Sequence, residues 1–539
     1  MLEPRPKCKK RTAAWAPNSA VKSILQFVAA LVWTGCIIAA PAQEAAIPDP
    51  GLNAAIRDAL QKPTGPLTDQ DLLSLTTLNA RNRNVETVQG LEAARNLVSL
   101  DLEINRLTNF FLPPEFTNLL VLNLSGNPLA NLSLPSGLTN LTSLTIESAA
   151  LTNLALPTGL MSLTNLDLEG NDLSSLEQLS NLTSLVALDL GFNLLTDFSV
   201  PAGLTNLSTF YFAGNPLTNV TLPPDLAGMS ELNLSQNLLS TLILPTGMTN
   251  LSELDLAFNQ LTNLTLPDDL TSLVELDLDF NSLAALSFPP NLSSLGALHL
   301  RGNQFANFNL PEGLTGLTYL DVSENPLSSL TLPGTLNRLS ALRVAGNTNL
   351  TSLSLPYGLT NLTGLFLAGN QLTNLVLPPD LGRLEWLDIG GNQLTTLSLP
   401  SGLTNLANFY VVGNLLTNIT LPADMTQISQ FGYLGNPLTT VIMSELNATN
   451  LAADVAFLSN EGVSVFTYPL TIQLVRPRPL IGAFQFGITG PPGVYSVFAS
   501  ADLLSWSQVG IASNTVGAIS FVDTNSHLFP SRFYRASPQ

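Results

Sequence analysis

A row of ionisable side chains at 22-residue spacing is the most chemically distinctive feature of this sequence. Asp255 and Asp277 are followed at the same spacing by His299 and then by Asp321. Carboxylates together with a histidine are the groups that enzymes use for proton transfer and that proteins use to bind metal ions. If the spacing places these residues on neighbouring strands, they lie about 4.8 Å apart. The row is therefore a candidate for a solvated surface, a cation or basic-ligand site, or a catalytic pair.

Catalysis is the least supported of these roles. The chain has two histidines, His299 and His527, and the sequence contains no glycine-rich phosphate loop, H-E-x-x-H pair or serine nucleophile elbow. An open sheet also lacks the water-excluding cleft that tunes a pair of carboxylates for acid–base work. We therefore predict a non-enzymatic protein with no catalytic residue and no cofactor.

A metal site built from His299, Asp277 and Asp321 is an alternative that the spacing leaves open. Two neighbouring carboxylates favour the protonated form of the histidine between them, which would make ligand binding sensitive to pH. A role in neutralising the surrounding negative charge explains the same pattern more simply. We predict no dedicated metal site.

The candidate ligand-binding residues are the side chains between the leucines of a repeated L-x-L motif. Acids crowd at 253–279, basic residues follow them, and aromatic residues concentrate at 319–410. Exposed aromatic side chains are typical anchors of a protein-binding surface, and they could equally stack on sugar rings. The predicted set is Asp255, Asp277, Asp279, His299, Arg301, Tyr319, Asp321, Phe366, Trp386 and Tyr410.

These residues belong to a repeat, L-x-L-x-x-N-x-L-T-N-L-x-L-P, that runs from about residue 100 to 436. Its asparagine recurs every 22 residues from Asn105 to Asn436, with Ala149 in one slot and one step of 23 residues at 348–350. Each unit predicts a short strand, a turn at the asparagine, and a return segment without a long helix. We expect the asparagine side chain to bond backbone groups in the turn, and a local weakness at Ala149.

The repeat resembles the leucine-rich-repeat family, and more narrowly the 22-residue repeats of internalins. The unit at 171–185 is similar to an internalin unit, and 47–96 resembles an internalin-type N-terminal cap, with a helix near 48–56 and a first strand at 78–80. The resemblance implies a parallel concave sheet that binds a ligand. It does not specify the ligand, because the ligands of the family differ widely.

The chain is thus predicted to be mainly β, a leucine-rich-repeat solenoid of about 16–17 coils. We expect a small helical N-terminal cap at 43–77, the solenoid at 78–445 and a C-terminal cap at 446–468, with a helix at 451–458 and a strand at 463–468. A small antiparallel β domain follows at 469–539.

The C-terminal domain shows strand signals at 483–488, 494–499 and 519–522, with turn signals every 8–12 residues. We expect Trp506 and Tyr534 in its core. The segments 495–500, 502–506 and 532–535 resemble a β-sandwich-like module of secreted bacterial proteins. The module is either a folded appendage or a device for attachment, sorting or glycan contact.

Residues 1–42 resemble an export signal, with a basic start, an apolar stretch at 24–40 and small residues before a cut at Ala42. An uncleaved membrane anchor and a lipoprotein attached through Cys36 are the alternatives. Cys8 and Cys36 are the only cysteines, and both lie in this segment. The mature chain then has no thiol for a disulfide, a metal site or a nucleophile.

Net charge limits the choice of partner. Without residues 1–42 the chain has 14 basic and 38 acidic side chains, a formal charge of −24. Such a surface repels nucleic acid and anionic lipid, and it favours cationic partners, metal ions or neutral polymers. We predict a secreted or cell-surface monomer that binds a protein ligand. The alternative is a polysaccharide-binding or adhesive surface protein.

Overall fold

The computed structural model describes residues 44–129, 131–176 and 179–539. The predicted signal segment at 1–42 lies outside the described residues, as do both cysteines. Within the described ranges, no helix combines the length and the apolar character needed to cross a membrane.

The chain enters the fold through two short helices, Pro50–Leu60, which the sequence predicted near 48–56, and Asp69–Leu73, which it did not predict. Asp49 caps the first helix by accepting the backbone N–H of Leu52 at 2.9 Å. Its second carboxylate oxygen accepts the N–H of Glu86 at 2.7 Å, which ties the helix to the first coil. Buried side chains of both helices join the solenoid core, so they close its N-terminal end.

A single parallel sheet, which we call the long sheet, is the surface that the sequence predicted as concave. It has 17 strands of three residues, and each residue pairs with the one 22 positions later. The offset is 23 where Arg343 pairs with Phe366, which confirms the predicted insertion. The strands are Thr77–Asn79, Ser99–Asp101, Val121–Asn123, Ser143–Thr145, Asn165–Asp167, Ala187–Asp189, Thr209–Tyr211, Glu231–Asn233, Glu253–Asp255, Glu275–Asp277, Ala297–His299, Tyr319–Asp321, Ala341–Arg343, Gly364–Phe366, Trp386–Asp388, Asn408–Tyr410 and Gln430–Gly432.

The return segments form short parallel pairs of strands rather than helices, as predicted. A single 3₁₀ turn, Leu179–Asn181, accompanies them in the described part of the array. The pairs are Asn109–Phe111 with Asn131–Ser133, Asp197–Ser199 with Asn219–Thr221, Asn307–Asn309 with Ser329–Thr331, Ser352–Ser354 with Asn374–Val376, and Asn418–Thr420 with Thr440–Ser444. The leucines of both faces meet in one continuous core, in which Leu254, Leu276 and Leu298 are fully buried.

Buried asparagines hold successive turns together. The Oδ1 atom of Asn259 accepts the N–H of Leu239 at 3.0 Å, and its Nδ2 donates to the carbonyls of Leu234 and Leu256 at 2.9 and 3.1 Å. Related bonds recur in the other asparagine turns. The predicted role of the asparagine is confirmed: it satisfies turn backbone that the sheet leaves unpaired.

At Ala149, a backbone carbonyl replaces the hydrogen-bond acceptor that the asparagine side chain supplies in other turns. The N–H of Leu129, which would meet an asparagine oxygen, donates instead to the carbonyl of Ala149 at 3.0 Å. The rearrangement places Ala150 in the left-handed region, at a φ of 54°. The expected local weakness therefore takes the form of a strained alanine, since this region costs a residue with a side chain about 1–2 kcal/mol.

The C-terminal end of the core is closed by helices Glu445–Asn450 and Ala452–Asn460 and by strand Ser464–Tyr468. This strand pairs in parallel with Thr440–Ser444. Tyr468 is fully buried, and its hydroxyl donates to the carbonyl of Leu421 at 2.7 Å. The predicted helix and strand at this end are both present.

The last residues form two antiparallel three-stranded sheets around a small core. One contains Gln473–Leu480, Ala483–Thr489 and Ala518–Asp523, and the other contains Gly493–Ser500, Ser507–Asn514 and Phe533–Pro538. The three strands predicted from sequence are all present. Tyr534 packs against the core as expected. The prediction for Trp506 was wrong: its ring lies outside the core cluster, with the guanidinium of Arg535 at 4.5 Å.

Candidate ligand-binding surface

The predicted row of ionisable residues lies on the long sheet as expected. Asp255 pairs directly with Asp277, Asp277 with His299, and His299 with Asp321. The residues on either side of each of them are buried in the core, and all are leucines except Val322. The side chains between them form one continuous outward array.

Most acids in this row have a backbone role. The Oδ1 atom of Asp255 accepts the N–H of Ala257 at 3.0 Å, and that of Asp277 accepts the N–H of Asp279 at 2.8 Å. The strand ends here, and the short Asx side chain supplies the acceptor that the ladder lacks. The same bond is made by Asn79, Asp101, Asn123, Asp167, Asp189, Asn233, Asp321 and Asp388.

Where this row lacks Asp or Asn, the preceding unit can supply the acceptor. Beside His299, the N–H of Arg301 donates to Asp279 Oδ1 at 2.7 Å; beside Arg343, the N–H of Ala345 donates to Ser323 Oγ at 3.0 Å. Asp279 is only 4% exposed and Asp321 only 6%. The expectation that both present a carboxylate outward is corrected, because each is largely buried against backbone. His299 and Arg343 do not accept this backbone hydrogen bond. Their side-chain types are therefore not explained by the fold and carry more information about function.

The first nine strands after Thr77–Asn79 form what we call the acidic half, from Ser99–Asp101 to Glu275–Asp277. Besides the buried Asp279, their outward positions carry eleven carboxylates and, in this described stretch, no lysine or arginine. Glu231, Glu253 and Glu275 are lateral neighbours, and like charges in such pairs are destabilising. Burial raises the pKa of Asp255 to about 6, and the neighbouring charge of Asp277 adds to the shift. The acidic half is therefore under electrostatic stress that a positive charge would relieve.

Two phenylalanines, Phe258 and Phe280, border these acids and form what we call the phenylalanine edge. Both immediately precede turn asparagines and have left-handed φ angles of 57° and 54°. Nine other turns have glycine at this position. The two rings stack at 4.7 Å between centroids and 17° between planes, and the guanidinium of Arg301 lies 5.4 Å from the Phe280 centroid. Neither phenylalanine was predicted as a site residue, although a phenylalanine at a position that glycine fills in most units was a readable signal in the sequence.

His299 lies between the acids and the aromatic residues. Its ring stacks on Tyr319 at 4.7 Å, and its Nε2 lies 3.8 Å from Glu275 Oε1. Donor atoms of Asp277, Asp279 and His299 lie within 4.8 Å of one another, a cluster that offers ligands to a cation. Asp321, which the metal alternative included, is not part of this cluster.

A cavity of about 320 Å³ follows, lined among others by Arg301, Asp321, Glu324, Arg343 and Phe366. Arg301 pairs with Glu324, while the guanidinium of Arg343 lies 4.2 Å from the Phe366 ring centroid. This is where the charge of the long sheet changes from acidic to mixed.

The predicted aromatic residues Phe366, Trp386 and Tyr410 lie on three successive strands and form what we call the aromatic row. Ring centroids are 6.2 Å apart between Phe366 and Trp386, and 5.5 Å apart between Trp386 and Tyr410. Trp386 remains 38% exposed. The row offers a flat apolar strip to a ligand.

This geometry agrees with a family model described as a BspA-type leucine-rich-repeat region. It matches in six copies over residues 191–299, 278–385 and 390–477, which is more than half of the 539 residues. The chain belongs to the BspA-type leucine-rich-repeat family. Among curated proteins, none matches this BspA-type chain.

Solved structures share the fold of this BspA-type chain. The functional domain of InlJ from Listeria monocytogenes is 21% identical, with a TM-score of 0.57 over 82% of this chain and 94% of its own. YopM from Yersinia enterocolitica is 28% identical, with a TM-score of 0.54 over 71% and 78%. Drosophila Toll, in its complex with Spatzle, is 21% identical, with a TM-score of 0.50 over 65% and 51%. The InlJ domain includes a cysteine ladder; here no cysteine occurs beyond Cys36, and asparagines link the turns.

Proposed function

We propose that this protein is a secreted or cell-surface binding protein that recognises a protein ligand through the long sheet. The observation that carries the proposal is the set of large or charged side chains at outward positions with no backbone role. They include His299, Arg343, Phe366, Trp386 and Tyr410. A strand that buries its leucines needs only small polar residues between them. Large or charged residues at these positions therefore favour a role in ligand recognition.

Rigidity supports the same proposal. The long sheet is held by one continuous core and by buried asparagines, so little of it has to become ordered on binding. Drosophila Toll, which shares the fold, was solved in complex with Spatzle. The basic and apolar pattern at 1–42 supports an extracellular location.

The test is a pull-down of protein partners from the organism's environment with the chain that lacks residues 1–42. The wild type is compared with a triple variant, Asp255→Asn, Asp277→Asn and Trp386→Ala. We expect the triple variant to lose the partner. A matched control, Asp197→Asn, Glu312→Gln and Tyr357→Ala, changes the same kinds of side chain on the return face, where all three are exposed. Equal capture by the triple variant and the wild type would refute recognition by the long sheet.

Polysaccharide binding is the second candidate, and the aromatic row favours it. Three neighbouring rings with Trp386 exposed can stack on successive sugar rings. In that case the C-terminal module at 469–539 would serve for attachment to the cell surface. A glycan array probed with the wild type and with Trp386→Ala separates the two functions, and retention on cells after a salt wash tests attachment.

A further inference from the structure

The outward charges of the long sheet are divided between its two ends. The acidic half carries eleven outward carboxylates, whereas the seven strands from Ala297–His299 to Gln430–Gly432 carry one, that of Asp388, because Asp321 is buried. The same seven strands carry Arg301, Arg343 and the aromatic row. A ligand that complements the whole surface must separate its groups in the same way, with positive charge at one end and apolar side chains at the other.

The phenylalanine edge adds a specific preference within the acidic half. Phe258 is 44% exposed and lies next to the carboxylates of Glu253 and Asp255 in the chain. A lysine or arginine over an aromatic ring beside carboxylates gains both a cation–π contact and charge-assisted hydrogen bonds. Arg301 already lies over Phe280 at 5.4 Å, so the edge accepts a guanidinium within this chain.

The backbone slot of the phenylalanine edge does not itself require a phenylalanine. Glycine occupies it in nine other turns, and five more hold Ile104, Ser148, Phe192, Gln236 or Glu324 there. What distinguishes Phe258 and Phe280 is that they fill this slot in successive units, so that their rings stack beside the strands that carry Glu253 and Asp255.

The separation of the two zones sets the length of the ligand. Six strand-to-strand steps separate Glu253–Asp255 from Trp386–Asp388. At about 4.8 Å per step they span roughly 29 Å, the reach of about nine extended residues at about 3.3 Å each. One continuous segment of a partner protein can therefore contact both zones.

We propose that the long sheet binds an extended segment of a partner protein in which basic and apolar residues form separate blocks. The basic block lies over the acidic half against the phenylalanine edge, and the apolar block lies on the aromatic row. This inference rests on the proposed function and specifies the chemistry of its ligand.

The first test uses fluorescein-labelled synthetic peptides of about fifteen residues and the mature full chain. One peptide groups its arginines at one end and its leucines at the other, and a second has the same composition in alternating order. We expect the grouped peptide to bind at least about tenfold more tightly, and its affinity to fall as salt is added. A grouped peptide with glutamate in place of arginine should not bind. Equal affinities for the first two peptides would overturn the proposal.

The second test separates the edge from the fold. Phe258→Gly with Phe280→Gly installs the residue that nine other turns use, so we expect folding with no loss of Tm. Binding of the grouped peptide should weaken about fivefold or more. Tyr357→Gly is the matched control: it replaces an aromatic residue that is 71% exposed on the return face, away from the acidic half, and should leave peptide binding unchanged. Weakening by the control and not by the edge variant would contradict the proposal.

The same variants distinguish this inference from the proposed function. If the captured partner is lost by the Asp255, Asp277 and Trp386 variant but kept by the edge variant, and the peptides show no preference, the inference fails and the proposed function stands. If the captured partner survives both variants, recognition by the long sheet itself is wrong.

Discussion

At the scale of single residues, the carboxyl of Asp255 links stability to pH. Burial, with the Asp277 charge, raises its pKa from 3.8 to about 6. A raised acid pKa means that the folded state binds the proton more tightly than the unfolded state. The penalty for the charged form is therefore absent below about pH 4 and complete above about pH 6, so stability falls as pH rises through that window.

Asp255→Asn should remove this penalty while keeping the acceptor for Ala257, as Asn233 does for Ser235 in the same row. We expect the free energy of unfolding to rise by about 1–3 kcal/mol at pH 7 and to change little at pH 4, measured by urea denaturation. Asp388→Asn is the control, because its lateral neighbours are Phe366 and Tyr410 rather than acids. A gain for Asp255→Asn that is the same at both pH values would contradict the assignment.

The sequence revealed the row of acids but not what each acid does. Spacing alone placed Asp255 beside Asp277, because a regular repeat fixes which residues pair. The bond from Asp255 to Ala257 depends on where the strand ends and how the backbone turns, and no pattern of residue types shows this. For the same reason Asp279 was expected to face solvent, although it accepts a bond from the Arg301 backbone.

At the scale of the turn, removing one linking asparagine should destabilise the array. Asn259→Ala leaves the N–H of Leu239 without its acceptor and removes one donor each from the carbonyls of Leu234 and Leu256. Those carbonyls keep bonds from Asn237 and Asn281, so the unsatisfied N–H dominates. We expect a loss of about 1–3 kcal/mol in the free energy of unfolding. A loss below about 0.5 kcal/mol would mean that the backbone had repaired itself, as it does at Ala149.

In the turn at Ala149, a substitution is expected to increase rather than decrease stability. Ala150→Gly relieves a left-handed alanine and should raise the free energy of unfolding by about 0.5–1 kcal/mol, after the higher chain entropy of glycine is offset. The control is Ala297→Gly, in a strand of the long sheet, which should lower it by a similar amount. Destabilisation by both variants in denaturant titrations would show that Ala150 is not strained.

At the scale of the whole molecule, the solenoid could be predicted because one unit repeats. The two ends required different information. The cap helices and strand showed local patterns, whereas Trp506 was misplaced because the sequence does not show which face of a small sheet is covered. The division of the long sheet into acidic and aromatic ends was visible as charge. Its phenylalanine edge became interpretable only with the backbone angles.

The ends of the array should control its solubility. Each unit contacts mainly its neighbours, so an uncapped end exposes the leucine core. A chain ending after residue 468 keeps Tyr468 on the carbonyl of Leu421 and strand Ser464–Tyr468 on Thr440–Ser444. A chain ending at 439 loses both, along with the buried Leu451 and Leu458.

We therefore expect residues 44–468 to remain monomeric with a cooperative unfolding transition, and residues 44–439 to aggregate or bind a hydrophobic dye, as judged by light scattering and dye fluorescence. Tyr468→Phe in the longer chain is the graded variant. It removes one buried hydroxyl bond and leaves the carbonyl of Leu421 without that donor, so it should lower the free energy of unfolding by about 1–2 kcal/mol. If both truncated chains are monomeric with the same midpoint, the segment at 440–468 does not cap the core, and the stability of the array comes from its repeated units alone.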